Sequence, residues 1–174
     1  IKVLVIGDSF SRDWINILIE SDFSKRLEIS YLELFLSANF NENYLLTKRV
    51  KNADIIFVSR LDLKDIQKYM IPISKTYCIG DKNFGENNGI FYNSSNIDFC
   101  YKKTKPSKKV VLRNLELKSQ WKKNAFIDLL DLIKDENDSI PVFNKDCKFL
   151  SNDTKHLTQS GAILFGQKVK PQLE

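Results

Sequence analysis

The chain has 174 residues, 43% hydrophobic and 28% charged, with a net charge of +5. That composition excludes a disordered segment, and no apolar run approaches the ~20 residues needed to cross a bilayer. The lysines are dispersed apart from a stretch at 102–109, without the aromatic-basic interleaving of an RNA-binding module, so no nucleic-acid partner is expected.

Residues 1–6 are apolar and β-branched, the composition of a buried strand. The chain opens on this strand without Met or a visible signal peptide, and reads as a piece excised from a longer protein. The strand stops at Gly7-Asp8-Ser9. Glycine tolerates positive φ, and Asp and Ser cap helices, so a strand-to-helix turn is expected here. Such a turn also presents Ser9 beside unpaired backbone N–H groups, as a nucleophile requires.

Trp14, Ile15, Leu18 and Ile19 place a helix over 12–26. Strand-like runs follow at 28–34 and 53–58, separated by a helix at 41–52. A helix over 62–71 carries Leu63, Ile66, Met70 and Ile71, and leads to a strand at 76–80. The stretch 81–109 is dense in Asn, Ser, Gly and Lys; it reads as a long loop beyond the end of a strand, placed to line a pocket. A helix is expected over 115–134, a fifth strand at 140–143, and a last helix from about 158 with Ala162, Phe165 and Val169 on one face. Short, wholly apolar strands alternating with helices imply an α/β/α sandwich of three layers around a mostly parallel, five-stranded sheet, in one domain spanning 1–174. Cys78 lies in a strand and reads as core. Cys100 and Cys147 could pair in an oxidising compartment, and the three cysteines match no zinc spacing, so no metal is expected.

The only histidine is His156, in "SNDTKHLTQSGA", three residues after Asp153. A serine hydroxyl is a poor nucleophile until a base takes its proton. Imidazole titrates near neutrality and can take that proton and return it, while a carboxylate fixes its tautomer. Ser9, His156 and Asp153 would have to meet across almost the whole chain.

"GDSF" after the first strand and "DTKHLTQSG" near the C-terminus resemble the first and last motifs of the SGNH (GDSL-type) hydrolase superfamily. The match covers Gly7, Asp8 and Ser9, then Asp153, His156, Leu157, Thr158 and Gly161. The resemblance implies a flavodoxin-like sandwich with Ser9 as nucleophile, His156 as base and Asp153 as its orienter. The middle motifs differ: no Gly falls between 7 and 80, and Val58-Ser59-Arg60-Leu61 stands where the family carries G-x-N-D. "VSRLDL" is instead similar to a stretch in the C-terminal SGNH domains of bacterial acyltransferase-3-type O-acyltransferases.

That similarity implies transfer of an acyl group, often acetyl, to a hydroxyl of a cell-surface polysaccharide. The donor would be acetyl-CoA or an acyl group relayed from an upstream membrane domain. The location would be the extracytoplasmic face of a bacterial envelope, with a cytoplasmic setting left open. An acetyl esterase with the same triad, or a non-catalytic glycan-binding domain, are the alternatives. For the oxyanion, the expected donors are the N–H of Ser9, a group near Ser37–Asn39 and the Arg60 guanidinium, unless Arg60 is merely exposed or pairs with Asp62. Lys82 and Asn83 are candidate sugar contacts, or else ordinary turn residues.

Overall fold

A computed structural model describes residues 1–33, 44–86, 100–121 and 125–169. Five strands form one sheet: β1 (Lys2–Gly7), β2 (Glu28–Glu33), β3 (Ile55–Ser59), β4 (Thr76–Ile79) and, after the two-residue strand β5 (Lys103–Thr104), β6 (Phe126–Ile127). Their spatial order is β2-β1-β3-β4-β6, and every pairing is parallel. The helices are α1 (Ser9–Ile19), α2 (Tyr44–Asn52), α3 (Leu63–Lys68), α4 (Lys108–Gln120) and α5 (Gln159–Lys168).

Alternation along the strands explains why they read as wholly apolar. Val3, Val5, Phe57 and Ile79 point to one face, where Trp14, Ile17 and Leu18 of α1 and Phe165 of α5 cover them. Leu4, Ile6, Ile56, Val58 and Cys78 point to the other, against Leu46 of α2, Ile66 of α3 and Leu117 of α4. Both faces are buried along β1, β3 and β4, so these strands keep no polar row, whereas the edge strand β2 exposes Glu28 and Ser30. The result is the expected α/β/α sandwich. Burial pushes the Cys78 thiol up to about 12, consistent with a core residue.

Several boundaries differ from the sequence expectation. α1 ends at Ile19 and not 26, and α4 begins at Lys108, inside the stretch read as a loop, and not at 115. Three further differences have identifiable causes or consequences. First, α1 begins at Ser9, because the Asp8 carboxylate accepts from the Phe10 N–H at 3.0 Å and caps the helix there. Second, the run 115–134 is not one helix. It divides into α4, which ends before Trp121, and β6. Phe126 and Ile127 face opposite sides of the sheet, and two residues are too few to show a strand period, so the flanking apolar spacing conceals them. Third, the fifth strand of the sheet is therefore β6 and not 140–143. The segment β7 (Ile140–Pro141) pairs antiparallel with β5 in a separate two-stranded sheet. Cys100 and Cys147 form a disulfide beside that small sheet.

β1 lies between β2 and β3: the chain moves to one side of β1 to form β2, then crosses back to form β3 on the other. In an open parallel sheet this switch point opens a crevice beyond the carboxyl ends of the strands. Gly7 ends β1 and Ser59 ends β3, so the segments that follow them, carrying Ser9 and Arg60, meet at that crevice.

Candidate active site

Gly7 makes the turn that presents Ser9. Its φ is +143°, and a Cβ there would stand 2.4 Å from Ser11 Oγ and 2.6 Å from Ser59 Oγ. Those two hydroxyls lie 2.7 Å apart, and Ser11 Oγ donates to the Ile6 carbonyl at 2.8 Å, so any side chain at position 7 would break the packing under the turn. Ser9 is then the first residue of α1, at the end where helical N–H groups lack intrahelical acceptors. Among the described residues its own N–H has no acceptor.

His156 approaches from the other end of the chain. Its Nε2 lies 2.9 Å from Ser9 Oγ, and its Nδ1 lies 2.7 Å from Asp153 Oδ2. The other carboxylate oxygen, Asp153 Oδ1, accepts the backbone N–H groups of Lys155 at 2.5 Å and His156 at 2.8 Å. The turn thus holds carboxylate and imidazole as a unit. Burial pushes the Asp153 carboxyl up, but the bonds from the His156 ring and from these two N–H groups outweigh it and bring it down to about 2. Asp153 is therefore a fixed negative charge at any pH near neutrality. With it on Nδ1, the Nε2 of neutral His156 is left as the acceptor facing Ser9.

Two anchors hold the histidine segment against the sheet. Gly161 sits at the start of α5, where a Cβ would lie 2.1 Å from the Leu150 carbonyl; only glycine allows that approach. The second anchor is Asp13, whose Oδ2 accepts the N–H of Leu157, next to His156, at 3.1 Å. Asp13 is buried and lies 2.7 Å from the ammonium of Lys82, whose side chain has no exposure at all. Burial lowers the Lys82 pKa, opposed by the charge of Asp13 and its hydrogen bond. Asp13 carries a signal in the sequence: it stands on the buried stripe of α1, with Phe10, Trp14 and Ile17. A carboxylate on such a stripe needs a cation or donors.

Arg60 follows β3 in the left-handed region, with φ +59°. It does not pair with Asp62. Its Nη2 lies 2.8 Å from Asp8 Oδ2 and its Nε 3.3 Å from Asp81 Oδ1, while Asp62 takes Arg113 at 2.9 Å. The guanidinium of Arg60 stacks 4.2 Å from the centre of the Phe10 ring, as does the ammonium of Lys82. Phe10 in turn lies 5.8 Å, ring centre to ring centre, from His156. Burial raises the Asp81 carboxyl, against the opposing charges of Arg60 and Lys82.

The Asn83 side chain organises the loop beyond β4. Its Oδ1 accepts from the N–H groups of Gly85 at 3.1 Å and Ser107 at 2.7 Å, and its Nδ2 donates to the Thr154 carbonyl at 3.3 Å. Lys82 and Asn83 both line a cleft of about 530 Å³ that also includes Phe10, Arg60 and Lys155. Ser37 and Asn39 lie outside the described residues. Among the described residues, no group of three or more His, Cys, Asp or Glu is placed to hold a metal ion, and no helix is long and apolar enough to cross a membrane.

This arrangement can move a proton from Ser9 Oγ to His156 and back, with the resulting imidazolium balanced by Asp153. No family model matches the chain, and no curated protein matches it by sequence.

Proposed function

We propose that this domain is an SGNH-type serine O-acyltransferase that passes an acyl group, most simply acetyl, to a hydroxyl of a bacterial cell-surface polysaccharide. The observation that carries the reading is the unbroken hydrogen-bonded chain Ser9–His156–Asp153 at the crevice of the sheet. His156 Nε2 takes the Ser9 proton as Oγ attacks the donor carbonyl. The negative oxygen that forms is met by the N–H of Ser9 at the start of α1, and by guanidinium N–H groups of Arg60 that its carboxylate partners leave open. His156 then protonates the leaving group, and an acyl-Ser9 ester remains. In the second half, His156 takes the proton of a sugar hydroxyl, which attacks the ester and releases Ser9.

The donor is an activated acyl ester or thioester such as acetyl-CoA, or an acyl group handed over by a membrane domain. The Cys100–Cys147 disulfide supports an oxidising, extracytoplasmic setting.

The experiment has two arms. A fluorophosphonate should label Ser9, and absence of labelling would favour a non-catalytic glycan-binding domain. With an activated acetyl donor and increasing acceptor glycan, product should shift from free acetate to acetylated glycan. Acetate alone at every acceptor concentration would make the domain an esterase.

A further inference from the structure

The cleft beside Ser9 has an uneven distribution of charge. Its wall carries five cations, Arg60, Lys82, Lys109, Arg113 and Lys155, and one carboxylate, Asp81. The other carboxylates that neutralise these cations stand outside the lining: Asp8 on Arg60, Asp13 on Lys82, and Asp62 and Glu116 on Arg113. The Lys82 ammonium is buried, while Arg60 and Arg113 are partly exposed, as are their partners Asp8, Asp62 and Glu116. Lys109 and Lys155 have no carboxylate partner among the described residues, and both are exposed. They come from separate elements: Lys109 from the first turn of α4, Lys155 from the turn that carries His156. The first turn of α4 adds the partial positive charge of a 13-residue helix, and its cap residue Ser107 makes no side-chain capping bond.

We propose that this cleft binds an anionic group, a carboxylate or phosphate, on one of the two reactants, with Lys109 and Lys155 as its direct ligands. That the anion belongs to a reactant rests on the acyl-transfer reading. Lys155 adjoins His156 in sequence, so an anion held there is tethered beside Ser9. Two sources share the chemistry: an acidic sugar of the acceptor, or the phosphates of a nucleotide thioester donor. Arg60, Arg113 and Lys82 are already paired with carboxylates, so Lys109 and Lys155 carry the attraction, and screening by salt should weaken the binding.

Binding is measured on the Ser9→Ala chain by amide NMR titration, with inorganic pyrophosphate, sodium glucuronate and the neutral methyl ester of glucuronate as probes. Pyrophosphate and glucuronate should shift the signals of Lys109, Val110 and Lys155, and the ester should not. The double variant Lys109→Gln/Lys155→Gln should weaken anion binding about tenfold or more, whereas Lys25→Gln, at the opposite end of the sheet, should not. Equal response to glucuronate and its ester, or unchanged affinity in the double variant, would overturn the proposal. In the wild-type chain, protection of Ser9 from a fluorophosphonate by free coenzyme A would assign the anion to the donor. Protection by a glucuronate oligosaccharide would assign it to the acceptor. Ser9 labelled normally with no anion bound removes only this proposal, and anions bound at an unreactive Ser9 remove only the acyl-transfer reading.

Discussion

Lys82 Nζ stands 2.7 Å from Asp13 Oδ2 in a place that solvent hardly reaches, and the same carboxylate oxygen holds the Leu157 N–H. A loop beyond β4, the first helix and the histidine segment are thereby joined through one buried charge pair. Removing one partner of such a pair leaves the other uncompensated. Lys82→Met should destabilise the chain by about 3–5 kcal/mol in urea unfolding. Asp13→Asn/Lys82→Met should be less destabilising than Lys82→Met alone, because Asn removes the orphan charge and keeps an acceptor for Leu157. A loss under about 1 kcal/mol for Lys82→Met, the scale of a surface pair, would mean that the pair does not hold these elements together.

Ser9→Ala should abolish turnover and leave unfolding within about 1 kcal/mol of wild type. Its hydroxyl bonds only to His156 among the described residues, and the turn is set by Gly7 and Asp8. Wild-type turnover in this variant would remove Ser9 from the reaction.

Asp153→Asn should lower kcat by up to about 10⁴-fold, as the wrong imidazole tautomer faces Ser9. Asp146→Asn should be silent. Asp146 lies close to the triad in sequence, but its described bond is a backbone N–H to Asn144 Oδ1 within its own turn. Steady-state rates of the two variants separate the carboxylates, and the reverse ranking would reassign the orienter.

The pH profile should show one ionisation on its acid limb. Asp153, held at about 2, stays charged throughout, so only protonation of His156 can switch the base off. The midpoint of the rate should coincide with that of the single imidazole signal in an NMR titration. A rate that stays flat while His156 titrates would show that it is not the base. The same depressed carboxyl has a consequence for stability. Its contribution is present above the ordinary carboxylate range and is lost as pH falls from about 4 through 2. Asp153 is half exposed, so the effect on acid unfolding should be small.

Reduction of Cys100–Cys147 should lower stability by up to about 4 kcal/mol, from the entropy of opening a loop with a sequence separation of 47 residues. Thermal unfolding with and without reductant measures it. Cys78 is buried in the core and should not contribute. An unchanged midpoint would mean that β5 and β7 hold together without the bridge.

The sandwich and the positions of Ser9, Asp153 and His156 were legible in the sequence. Buried parallel strands leave an unmistakable mark, since both of their faces need apolar residues, as Val3 through Ile6 and Ile56 through Val58 do. Gly7-Asp8-Ser9 and Asp153-x-x-His156 were legible because each is a local device. One is a turn with a steric demand for glycine, the other a carboxylate in reach of an imidazole three residues on. Tertiary structure alone decided what meets across long separations. It chose Asp8 and Asp81, not the nearby Asp62, as partners of Arg60, and turned Lys82 inward onto Asp13. It also made the two residues of β6 the edge of the sheet. Charge pairing and strand addition depend on where a side chain or a short segment lies in space, and at separations of 21, 52 or 69 residues no periodicity in the chain encodes that position.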